Sequence, residues 1–208
     1  MPRVSQAHLD ARRAQIVDAA RTLFARKGFE STSMQDIFTE SGLSTGAVYR
    51  YFRSREEIVE AIAQDALGPV RAVFDDLLAV DPPAPLADEL ARLAQLIESV
   101  SGPDGVLRVT LQLWGQALFK PEIASLARGG YGELRGLVTQ LVRRAQSAGQ
   151  VDPDADAGEL GQVLFAVLLG FIVQRLLLGD VDAEGFRRGL QVLLGDVRAV
   201  RRSGREAS

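Results

Sequence analysis

Apolar residues recur along this chain at three- and four-residue spacing, the mark of helices that each bury one face. Residues 9–27 place Ile16, Ala20, Leu23, Phe24 and Lys27 on one stripe, with Gly28 as the stop. In the stretch 31–58, Met34, Ile37 and Phe38 share a face behind Ser33, which stands three residues before Asp36 as in a capping box. Gly42 falls where a helix must end and reverse, Leu43 can plug the corner, and Ser44 can cap a second short helix. Ser54 and Glu57 open the next helix, whose inner positions are Ile58, Ile62, Leu67 and Phe74. Pro69 inside that pattern predicts a kink or a break at Gly68-Pro69.

Asp81-Pro82-Pro83-Ala84-Pro85 is the clearest linker, followed by a helix over about 86–101 and a turn at 101–105. Residues 106–119 are apolar nearly all round, which predicts a helix in the middle of a bundle. Pro121 suits the first turn of a helix reaching about 146, with Gly129-Gly130 as turn glycines able to break it. The next helix covers about 157–178. Asp182 starts the last one, with Val181 and Phe186 as a hydrophobic staple and Phe186, Leu190, Leu193, Val197 and Val200 as one stripe. Residues 1–8 and 201–208 read as frayed ends, although Arg3 could reach a phosphate. No strand pattern emerges, so the fold class is all-α with about nine helices.

Composition narrows the chemistry. The 208 residues are 47% hydrophobic and 25% charged, ordinary for a soluble globular protein. There is no cysteine and a single histidine, His8. Disulfides, thiolate-metal sites, thiol catalysis and histidine-based metal or acid–base chemistry are therefore not expected. No paired nucleophile and base, no phosphate-cradling glycine loop after a strand and no metal-ligand spacing is found, and neither an enzyme nor a cofactor is expected. Residues 1–15 are polar and Arg-rich, unlike a signal peptide. Leu160–Gln174 is uncharged for 15 residues, short of the roughly 20 a membrane span needs. A buried helix, with no membrane and a cytoplasmic location, is the expectation.

Net charge is −3, and the first 60 residues carry nine Arg/Lys against eight Asp/Glu. Charge alone does not point to nucleic acid. Only two of the 24 basic residues are lysine and asparagine is absent, a bias that fits a GC-rich bacterial genome.

Two short helices joined by a glycine turn form a helix-turn-helix. The run Gly28-Phe29, Thr32-Ser33, Asp36-Ile37, Ser41-Gly42-Leu43-Ser44, Gly46, Val48-Tyr49, Tyr51-Phe52 and Ser54-Arg55-Glu56-Glu57 resembles the N-terminal domain of TetR-family transcriptional regulators, over about 15–62 without a gap. Phe38 stands where that family commonly has a small residue, and Thr45 where it often has lysine, which removes one cationic contact. The resemblance implies a helix-turn-helix DNA-binding domain at 1–54 and a larger ligand-binding and dimerisation domain at 55–208. Carried over residue by residue, it sets Thr45, Gly46, Ala47 and Arg50 against base edges. Arg50 is the main reader, because guanidinium pairs bidentately with guanine. Thr32, Tyr49, Tyr51 and Arg55 match positions that touch phosphates.

Useful affinity needs two such readers. The segment 157–200 is too apolar for two lone surface helices, and in the family its counterparts pair with their copies in a homodimer. Gly161, Ala166 and Gly170 would permit close helix approach. Leu107, Leu111, Trp114, Phe119, Tyr131 and Phe165 suit a small-molecule effector pocket, and they suit a plain helical core equally. Residues 111–117 with Pro121-Glu122 loosely resemble the betaine-regulator type of C-terminal domain. The expectation is a ligand-released repressor that binds a palindromic double-stranded operator as a homodimer. The alternative is an all-α ligand-binding or interaction module whose helix-turn-helix no longer binds DNA.

Overall fold

The structure, a computed structural model, describes residues 6–195. Arg3, Val197 and Val200 lie outside these residues. Nine helices and no strand occur among the described residues: α1 (Gln6–Lys27), α2 (Met34–Ser41), α3 (Thr45–Tyr49), α4 (Arg55–Ala79), α5 (Leu86–Ser99), α6 (Val106–Ala117), α7 (Pro121–Ser147), α8 (Ala157–Leu177) and α9 (Ala183–Gly195). They form two compact units. One holds residues up to 68 with 100–127; the other holds 69–99 with 128 onward.

The core of the first unit is built from the predicted stripes. Ile16, Ala20, Leu23 and Phe24 of α1 meet Ile37 and Phe38 of α2, Val48 of α3 and Ile58 and Ile62 of α4, with Phe29 and Phe52 closing the ends. Each large side chain removed from water there contributes about 1.5–3 kcal/mol. Lys27, expected on the inner stripe of α1, is instead exposed and pairs with Asp36 at 3.3 Å. A long cation at the last turn of a helix is better placed in water, where it also meets the negative end of the helix dipole.

α6 is not the middle of a bundle. Of its residues only Val109 is fully buried, although Val106, Leu113 and Ala117 also pack against the first core. Leu118 and Phe119 beyond its end are 80% and 85% exposed. An apolar sequence all round supplies several faces able to pack, and only one of them is used. α4 runs unbroken through Pro69, so the proline does not end the helix. α7 likewise continues through Gly129-Gly130, which are helical rather than turn glycines. Propensity disfavours glycine inside a helix by only about 1 kcal/mol, within reach of the packing on either side.

In the second unit Phe74 and Leu77, Leu86, Leu90 and Leu93, Val138, Leu141 and Val142, Leu164 and Leu168, and Leu190 form the main core. Arg144 of α7 donates to the carbonyls of Leu77 and Val80 at the end of α4, closing orphan acceptors. Behind it lies Glu89, 1% exposed, with neither carboxylate oxygen hydrogen-bonded. Burial pushes this carboxyl above its ordinary range, opposed by the nearby Arg144 and Arg92.

α8 is not a buried helix within one chain. Only Gly161, Leu164, Leu168 and Phe171 are fully covered. It is the one helix among the described residues long and apolar enough to cross a membrane by length and composition. Gly161 sits hard against α7, where a Cβ would collide with Thr139. The close approach that its small size permits is thus to a neighbour in the same subunit. At the start of α9, Val181 and Phe186 both pack against the cluster of Ala94, Phe171 and Ala183, with the Phe171 and Phe186 rings 4.9 Å apart. Leu190 points inward as expected, but Leu193 does not, being 68% exposed together with Val192.

Candidate nucleic-acid interface

The site is assembled by short-range rules. At the start of α2 the Ser33 hydroxyl accepts from the Asp36 amide at 3.1 Å, and the Asp36 carboxylate accepts from the Ser33 amide at 2.8 Å. This reciprocal box satisfies two orphan donors. The Ser33 hydroxyl and amide, followed by Lys27, hold the Asp36 carboxyl below the ordinary range, at about 2. α2 stops at Gly42, whose φ of 65° is left-handed and costs glycine nothing. Ser44 then caps α3 through the Ala47 amide at 3.3 Å. Ser54 caps α4 through the Glu57 amide, and the Glu57 carboxylate reaches back to the amide of Arg53 at 2.6 Å.

Val48 is the pin of α3, fully buried in the first core. With Val48 inward, Thr45, Gly46 and Arg50 are exposed and Ala47 is half-buried. These are the four residues expected to face bases, and they share the free side of one short helix. Phe38, the departure from the family's small residue, is buried and meets the ring of Tyr49 edge-on at 5.4 Å and 65°. Tyr49 is thereby propped in place while remaining 47% exposed. Tyr51 is half-buried against the core, and Phe52 is a core residue.

Two of the residues expected at phosphates make contacts within the fold. Thr32 is fully buried and its hydroxyl donates to the Gly28 carbonyl at 2.8 Å, so that hydroxyl is not offered to a phosphate. Arg55 turns inward as well. Its Nη1 donates to the carbonyls of Phe29 at 2.9 Å and Thr32 at 2.7 Å, and the guanidinium lies 4.7 Å over the Phe29 ring. The physical reason is the loop at 29–32, whose carbonyls have no helical partners. The Nη1 amino group alone, with its two N–H donors, reaches both the Phe29 and the Thr32 carbonyl.

Supports from distant sequence complete the first unit. The Gln112 side chain of α6 donates to the Phe24 carbonyl and accepts from the Phe29 amide, each at 2.9 Å. Asp104 receives Arg26 in a two-pronged pair at 2.8 and 2.9 Å, which lowers the Asp104 carboxyl and raises Arg26. Gln15 donates to the Ser41 carbonyl at 2.7 Å, fixing the end of α2. None of these was visible in the sequence, because no local pattern links residues 26 to 88 positions apart.

A cleft of about 310 Å³ opens between the first turns of α1 and the recognition helix, with Arg12 and His8 on one side and Ser44, Ala47, Arg50 and Tyr51 on the other.

The six residues expected at an effector pocket are divided between the two units. Tyr131 and Phe165 come together in the second unit with ring centres 5.9 Å apart. Leu107, Leu111 and Trp114 are half-buried on α6 in the first unit. Phe119 is 85% exposed; it falls in the turn between α6 and α7, where the helical stripe has ended. Among the described residues no cluster of His, Asp and Glu could hold a metal ion.

Comparison with known proteins agrees with this geometry. Residues 16–62 match the model of the bacterial regulatory proteins, tetR family, and residues 90–198 match that of the BetI-type transcriptional repressor C-terminal domain. The chain is 50% identical over 66 residues to the HTH-type transcriptional regulator YfiR of Bacillus subtilis, a match spanning 32% of each protein. It is 25% identical over 195 residues to the HTH-type transcriptional regulator UidR of Escherichia coli K12, covering 89% of this chain and 92% of that one. A transcriptional regulator from Saccharomonospora viridis, solved in complex with choline, superposes with a TM-score of 0.71 at 25% identity, covering 89% of this chain and 96% of that one.

Proposed function

This chain belongs to the TetR family of bacterial transcriptional regulators, and on that premise we propose that it is a ligand-released repressor that grips a palindromic operator as a homodimer. Its family and relatives are regulators of transcription, not enzymes. The observation that carries the dimer is the apolar surface left on two helices and their junction. Val163, Leu177, Leu178, Val192 and Leu193 are each more than half exposed. Isolated exposed leucines are ordinary, but several on consecutive helices mark a contact surface. A two-fold axis through this surface buries each patch against its own copy and presents two recognition helices to two half-sites. The segment 157–200 is the proposed seam.

DNA reading is assigned to 1–54 and effector sensing and dimerisation to 55–208. Thr45, Gly46 and Ala47 face base edges, and Tyr49 and Tyr51 face the backbone. The match of 90–198 to a BetI-type domain, and the choline in a related structure, support a small-molecule effector. The Tyr131–Phe165 pair is our first candidate for its contacts. Release is a population shift: the effector binds better to the form whose recognition helices are wrongly spaced, and α4 transmits the change.

The test is a reporter gene placed behind the chain's own upstream DNA. Supplying the protein lowers expression, and a variant with α3 disabled by Val48→Asp does not. Expression that rises with the protein would make it an activator. No response, together with no retention of that DNA at low salt, would leave an interaction module.

A further inference from the structure

A net charge of +1 over residues 1–60 says little about where a polyanion would lie; the pairing of individual cations says more. In the first unit Arg13 faces Asp65 at 3.3 Å, Arg21 faces Asp18 at 3.3 Å, Arg26 faces Asp104 at 2.8 Å and Lys27 faces Asp36 at 3.3 Å. Lys120 meets Glu30 at 2.8 Å, and Arg55 is committed to carbonyls. Among the described cations up to residue 68, only Arg12, Arg50 and Arg53 have no carboxylate or carbonyl for their guanidinium. The single side-chain partner of Arg12 is the neutral amide of Gln15, at 2.8 Å. Two of these three arginines line the same cleft, Arg12 with His8 beside it and Arg50 with the hydroxyl-bearing Ser44 and Tyr51 beside it. No Asp or Glu is among its lining residues.

Position along α3 adds a second argument. A recognition helix presents its first residues to base edges, and here those are Thr45 and Gly46. Arg50 is the C-cap of that helix, at its far end, where the chain turns back toward α1. We propose that the cleft seats a phosphodiester of the DNA backbone between Arg12 of α1 and Arg50 of α3, so that Arg50 anchors the reader rather than reading a base. This rests on DNA binding by the family and is independent of whether the protein represses or activates. Arg12 then belongs to the interface although it lies outside the helix-turn-helix, and the two walls of the seat fix the tilt of α3 against the duplex. Each occupied seat releases condensed counterions, while contributing nothing to the choice of sequence.

The experiment is a fluorescence titration of the full-length protein at several salt concentrations, on its own upstream duplex and on an unrelated duplex of equal length. Arg12→Ala weakens both by the same factor, on the order of tenfold, and lowers the slope of log K against log salt by about 1 per seat. Arg50→Ala does the same, and Arg12→Lys keeps most of the slope. Melting curves establish that each variant is folded. The proposal is overturned if folded Arg12→Ala leaves affinity and slope unchanged on both duplexes. It is overturned equally if Arg50→Ala weakens only the upstream duplex, the signature of a base contact. In both cases the wild type still binds DNA. A wild type that binds neither duplex overturns the DNA-binding assignment itself, and this proposal with it.

Discussion

The reading head and the pair α8–α9 solve opposite problems. Around α2 and α3 the helix ends are capped by side chains a few residues away, and Ile37, Phe38 and Val48 are covered by their own unit. Ser33 and Asp36 cap each other, Gly42 ends the helix, Ser44 starts the next and Val48 pins it. In α8 and α9, by contrast, apolar side chains such as Val163, Val192 and Leu193 remain in solvent. One region is complete in a single chain and the other is not. A segment that closes its own accounts can be understood alone; a segment with surplus apolar surface names a missing neighbour.

The sharpest way to break this contrast is to make the surplus polar. Val192→Glu combined with Leu193→Glu is expected to yield a monomer by light scattering with its helix content intact. Operator affinity falls roughly 100-fold or more as the second reader is lost, the scale set by effective concentration. A double variant that remains dimeric would show that the seam lies elsewhere. Next in size is Arg55→Ala. Removing a charged donor leaves the half-buried Thr32 carbonyl without that partner, while the Phe29 carbonyl keeps the Thr32 amide at 3.3 Å, at about 1–3 kcal/mol by urea unfolding. A loss under about 0.5 kcal/mol, the range of an ordinary surface change, would place Arg55 back at a phosphate.

The smallest effect is local. Ser33→Ala removes the cap of α2 and costs about 1 kcal/mol near neutral pH. The Asp36 carboxyl sits at about 2, below its ordinary range. Its contribution is therefore present above the ordinary aspartate range and lost as the pH falls from there through about 2. The gap between wild type and variant narrows in that acid window. A gap that stays constant down to pH 2 would detach the Asp36 carboxylate from the cap.

The same contrast explains what the sequence could tell. Helix starts and stops in the reading head were legible because capping is written within four residues: Ser33 with Asp36, Ser44 with Ala47, Gly42 after Ser41. The nine helices followed from apolar spacing with ends shifted by a few residues. What periodicity could not decide was which of several apolar faces is used. It placed residues 106–119 at a centre, although Val109 alone of α6 is fully buried, and set Leu193 inward. Nor could it show that Thr32 and Arg55 turn into the fold, since that depends on the shape of the loop at 29–32. The Gln112 and Asp104 bridges to Phe24, Phe29 and Arg26 join residues about 80 apart, and no short pattern encodes them.

Gly161 has no side chain, and the space a side chain would need is occupied by Thr139 of α7. It faces α7 and not the exposed Val163 of the proposed seam, yet it is the gauge block against which that surface is set. Any bulkier residue there would lift α8 outward and move Val163 with it, altering the angle at which two subunits meet without touching a residue between them. The geometry of the proposed seam is therefore machined from the back of the helix as much as from its front, and a mutational screen confined to exposed positions would miss the reference mark.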